Sequence, residues 1–201
     1  MKKKMYVIAA ILVVLAMLGT GTLAYFTTRV VTHNVITTGA VSITLEEDFQ
    51  GSVQDQNGNR VLNGVMPGQA PVKKVKVTNN LGSADAWIRI GVKITVTDSQ
   101  GKDMTAQAKD KKVFNIPITG TGWVAGEEKD GIQWYYYEKE LAPGKSTTNL
   151  FENLNFAGAE MGNEYQNATF TVSVEAQAVQ TANNPIPSGG NVTAVQGWPT
   201  T

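Results

Sequence analysis

One histidine, His33, is all the imidazole this chain has, and it stands in a Thr/Val-rich segment. A Ser-His-Asp triad would have to use it, yet no nucleophile signature accompanies it. A catalytic zinc takes three protein ligands, and no His-Glu-x-x-His pattern occurs. With no cysteine, thiol chemistry and a disulfide framework are excluded. Glu46-Glu47-Asp48 offers hard oxygen ligands that suit calcium, but without the spacing of a binding loop; the alternative is a solvated strand end. Neither calcium nor zinc has a motif, so no cofactor is expected and catalysis has little to stand on. Trp134-Tyr135-Tyr136-Tyr137 is the richest aromatic stretch. It serves either cross-strand packing or, if exposed, stacking on a sugar or a partner.

The elements that hold these residues have a period of two. Val41, Ile43 and Leu45 alternate with Ser42, Thr44 and Glu46, and Val75 and Val77 with Lys74, Lys76 and Thr78. Ile88–Val96 and Phe170–Ala178 are the longest stripes, and such alternation marks strands with one buried face. Val113–Ile118, Ile132–Lys139, Thr147–Phe151 and Leu154–Phe156 are shorter candidates. Met66-Pro67-Gly68 and Ala142-Pro143-Gly144 are turns in which Pro presets φ and Gly supplies positive φ. Thr105–Lys112 suits a short helix, and Glu127–Asp130 a solvated loop. The pattern predicts an all-β, antiparallel sandwich of jelly-roll type over residues 25–182, followed by a loosely ordered tail, 183–201.

Residues 1–24 read as a signal peptide. Lys2, Lys3 and Lys4 precede an apolar run, Val7–Leu18, which predicts a leader helix too short to be a spanning anchor. Thr22 and Ala24 give the small-x-small pattern that places the cut before Tyr25. Losing three lysines turns 17 basic and 17 acidic residues into 14 and 17, a net charge of −3, and 201 residues into 177. That charge does not suggest a nucleic-acid partner. The membrane is met only through the leader.

The cut frees Tyr25–Ile36, a β-prone segment containing Tyr25, Phe26, Val30, Val31, Val35 and Ile36. Two placements stand: in its own sheet, or added to the sheet of a neighbour, where main-chain hydrogen bonds supply affinity.

Gly21-Thr22-Leu23-Ala24-Tyr25-Phe26 followed by Asn34–Ile43 resembles the TasA/camelysin family of exported proteins. Val65-Met66-Pro67-Gly68 with Val75–Ser83, then Leu141–Thr148 and Val174–Gln180, continue the likeness over roughly residues 1–182. The resemblance implies a jelly-roll-like sandwich, a leader cut by a SipW-type signal peptidase, and a secreted surface or biofilm-matrix role. It also implies self-association, or association with a related matrix protein, in fibres built by donating the N-terminal strand. Camelysin is classed as a metallopeptidase, so a surface peptidase is the first alternative. A secreted glycan- or protein-binding module is the second.

Overall fold

The computed structural model describes residues 26–37, 41–54, 56 and 60–199. The leader helix, the cut at Thr22 and Ala24, and Tyr25 lie outside them. The strands are β1 (Phe26–Thr37), β2 (Ile43–Phe49), β3 (Val53–Gln54), β4 (Arg60–Val65), β5 (Lys73–Asn79) and β6 (Ala86–Thr97). A short helix α1 (Thr105–Asp110) follows, then β7 (Phe114–Asn115), β8 (Trp123–Lys129), β9 (Ile132–Tyr137), β10 (Asn155–Phe156) and β11 (Thr169–Gln180). One seven-stranded sheet has the order β3-β4-β1-β11-β6-β9-β8; β2 pairs with β5, and β7 with β10.

The longest stripes make the longest ladder. β11 and β6 pair antiparallel from Thr169 opposite Thr97 to Gln180 opposite Ala86. Their inward residues, including Ile88, Ile90, Phe170, Val172 and Val174, are almost fully buried. Val75, Val77 and Phe49 meet them from the second layer in one core cluster. Burying each such side chain contributes about 1.5–3 kcal/mol. The second layer is widened by residues 145–154, which follow β5 through Thr147 N to Val77 O (2.8 Å) and Leu150 N to Val75 O (2.8 Å). That segment holds the expected Thr147–Phe151 strand, but it bonds through scattered contacts rather than a ladder.

The all-β expectation holds, and the helix forms over Thr105–Asp110. Both Pro-Gly turns close as expected, with Gly68 at φ 79° and Gly144 at φ 75°. Three further features differ from the sequence reading. β1 lies parallel to β11, so the pairing is not purely antiparallel; the rest of the domain is the long connection a parallel pair needs. Glu127–Lys129 belongs to edge strand β8 rather than to a loop, and the turn is only Asp130-Gly131. Both turn residues have positive φ, 55° and 76°, as a two-residue hairpin turn demands. Finally, the stretch expected to be loose is packed. Val192 and Val195 are each 2% exposed, on a second cluster with Trp87, Trp134, Tyr136 and Val179. The burial of these apolar residues orders a segment whose Pro and Gly content suggested a tail.

Candidate functional site

The N-terminal strand is the first candidate. β1 is inserted between two neighbours. Along β11 it pairs Val30 with Val172, Val31 with Ser173, Val35 with Ala176 and Ile36 with Gln177. Along β4 it pairs Phe26 with Val65 and Val30 with Arg60. The β11 register shifts between Thr32 and Val35, the stretch that carries His33. In this chain, then, the segment lies in its own sheet, with main-chain partners on both sides.

The acidic cluster is the second candidate. β2 runs beside β5 so that Glu46 faces Lys76 and Asp48 faces Lys74. Glu46 makes a 3.1 Å ion pair with Lys76 and accepts a hydrogen bond from the Thr78 hydroxyl. The Thr78 bond, helped by Lys76, holds its carboxyl below the usual value of 4.5. Its stabilising contribution is therefore present above pH 4.5 and lost as pH falls through the lowered value. Glu46 is 42% exposed, so solvent screens the effect; Glu46→Gln is expected to leave urea stability near pH 7 almost unchanged. Glu47 instead turns inward and pairs with Lys73, which is fully buried and has its ammonium 5.3 Å from the Phe49 ring centre. Lysines thus pair with Glu46 and Glu47, while Lys74 stands opposite Asp48 in the ladder.

The aromatic strand is the third. Alternation puts Tyr137 in the main core and Trp134 and Tyr136 on the opposite face. There Arg89, from β6, lies between two indoles, 3.9 Å from the Trp134 ring centre and 4.6 Å from that of Trp198. Its Nε and Nη2 donate to Gln177 Oε1 at 2.9 and 2.6 Å, and its Nη1 to the Tyr136 hydroxyl at 3.2 Å. Gly91 makes room for this packing, since a Cβ there would stand 2.7 Å from Ile132 and 3.0 Å from Trp134. Trp87 Nε1 donates to Asn184 O at 2.9 Å. The C-terminal residues 183–199 therefore form a strap over the sheet, fastened by Arg89. Sequence reading singled out Trp134 and Tyr136 but missed Arg89 and Trp198. Arg89→Met is expected to cost about 2 kcal/mol and to expose the strap to limited proteolysis, which mass spectrometry of the fragments would show.

A sandwich whose N-terminal strand lies between two other strands of its own sheet defines a β-rich, mainly antiparallel domain. A family model described as camelysin metallo-endopeptidase matches residues 1–116. The chain belongs to this family, the TasA/camelysin family, which is one of secreted, surface-associated proteins. No curated protein and no solved structure matches the chain. The matched span ends just after β7, so β8, β9, β11 and the strap lie beyond it.

The family description, a metallo-endopeptidase, implies a metal. Among the described residues, no three of His, Cys, Asp and Glu are grouped so as to hold one. Glu46 and Glu47 are paired with Lys76 and Lys73, and the single histidine is on β1. This donor set does not fit a catalytic zinc, which takes three protein ligands and a water.

Proposed function

We propose that the protein is a secreted surface or biofilm-matrix subunit, folded as a jelly roll, that assembles with copies of itself or a related protein by donating its N-terminal strand. A SipW-type peptidase would free that strand. The observation that carries the reading is the position of β1, between β4 and β11 rather than at an edge. A neighbour's strand in the same slot would make the same main-chain bonds, and a head-to-tail exchange need not close. The sheet's own edges favour the slot over simple edge addition. β3 has two residues. β8 carries Glu127, Glu128 and Lys129 and a register shift between Ala125 and Glu128, the devices that blunt an edge.

The test is the mature chain beginning at Tyr25, compared by negative-stain electron microscopy with a chain lacking Tyr25–Ile36. Fibres are expected from the first and none from the second, even when the second is refolded with a Phe26–Thr37 peptide that fills its slot; unchanged fibres would remove strand donation. The family description alone favours a second reading, a surface metallopeptidase. Casein cleavage by the pure protein, abolished by a chelator and restored by zinc, would establish that activity.

A further inference from the structure

We infer that a cavity of about 660 Å³ between the β8–β9 hairpin and the C-terminal strap binds a neutral sugar unit of a polysaccharide. It goes beyond the assembly reading and does not rest on it.

The cavity is lined by Arg89, Trp134, Tyr136 and Trp198 on its inner side, and by Glu127, Asp130 and Lys129 on the hairpin. Thr193 adds a hydroxyl from the strap. Two cations and two carboxylates balance, so a charged ligand would be attracted by one pair and repelled by the other. A sugar hydroxyl both donates and accepts, and so suits both pairs at once. The donors and acceptors are available. Arg89 has five N–H groups, and the three bonds to Gln177 and Tyr136 leave two without an acceptor among the described residues. Among the described residues, neither Glu127 nor Asp130 has an ion-pair partner. Aromatic walls with a few convergent polar groups are the usual make-up of a small-ligand site.

The hairpin is shaped for this. Its register shifts between Ala125 and Glu128, and such bulges re-aim a side chain. Gln133 Nε2 pins the bulge by donating to Gly126 O at 2.7 Å. Gly126 lies on the Tyr136 ring so closely that a Cβ would approach it to 2.4 Å.

The test titrates the mature chain with cellotetraose, chitotetraose and tetragalacturonate, read by tryptophan fluorescence, since two indoles flank the cavity. A saturable change with at least one neutral tetrasaccharide is expected, with Kd of about 1 mM or tighter. The exposed double variant Glu127→Ala/Asp130→Asn should weaken it at least about tenfold with Tm unchanged. No saturable response to either neutral sugar would overturn the proposal. So would binding of tetragalacturonate alone that disappears with added salt, or binding untouched by the double variant. Fibre formation would be unaffected by any of these outcomes, so failure here is distinct from failure of the assembly reading.

Discussion

A chain lacking Tyr25–Ile36 is expected not to fold alone, and a synthetic peptide of the Phe26–Thr37 sequence is expected to restore it. β1 is the link between two parts of the sheet. Without residues up to Ile36, β11 loses eight of its nine register pairs along one side. β4 keeps only its two pairs with β3, so that ribbon is no longer joined to the sheet. Each buried main-chain group left unpaired costs about 1–3 kcal/mol, and several such losses exceed the roughly 5–15 kcal/mol that holds a domain folded. The peptide should raise Tm with concentration, because a ligand of the folded state stabilises by mass action, about 2.7 kcal/mol at 100 times Kd. Circular dichroism with increasing peptide reads this directly. A deletion chain that unfolds cooperatively at the parent Tm would show that the slot does not need filling, and strand donation would lose its driving force.

The same slot decides between a monomer and a polymer. The strand makes the same ladder in its own chain or in the next, so the gain in contacts is nearly equal. What differs is the entropy of association, a cost that falls as the protein becomes more concentrated. Concentration therefore favours exchange.

What was legible in the sequence follows from how local each signal is. Ile88–Val96 and Phe170–Ala178 were readable because one buried face imposes a strict period on neighbouring residues. β8 was not, because Gly126 and the acids that follow resemble loop composition, and a bulge interrupts the alternation. The Arg89 stack was invisible for another reason: Arg89, Trp134 and Trp198 come from distant parts of the chain, and only the fold brings them together. The strap escaped notice similarly, since Val192 and Val195 are too few to make a pattern alone. The acidic cluster was a missed opportunity. Acids at 46 and 48 and lysines at 74 and 76 share the period of two, and antiparallel pairing of the two segments would have matched them.

Glu47→Ala is expected to destabilise the domain by about 3–5 kcal/mol, the cost of leaving one member of a buried ion pair without the other. Lys73 is 0% exposed, and the Glu47 side chain is 7% exposed. Urea unfolding should show the loss as a lower midpoint with the slope unchanged. The double variant Glu47→Leu/Lys73→Met should recover most of it, because apolar replacement of both partners removes the stranded charge. A double variant no more stable than Glu47→Ala would mean that the pair fixes geometry which packing cannot replace. The pH dependence adds a second check. Burial pushes the Lys73 amine below its ordinary 10.5, while Glu47 pulls it back up. Between the lowered value and 10.5 the unfolded chain binds the extra proton, so stability rises with pH across that window. Removing Glu47 takes away the opposing pull and extends the window downward. With rising pH, Glu47→Ala should therefore begin to gain stability at a lower pH than the parent does. Tyr135 and Tyr165, whose hydroxyls burial pushes above 10.0, act in the opposite direction only above about pH 10. An equal response in parent and variant would show that Lys73 keeps its proton without its partner.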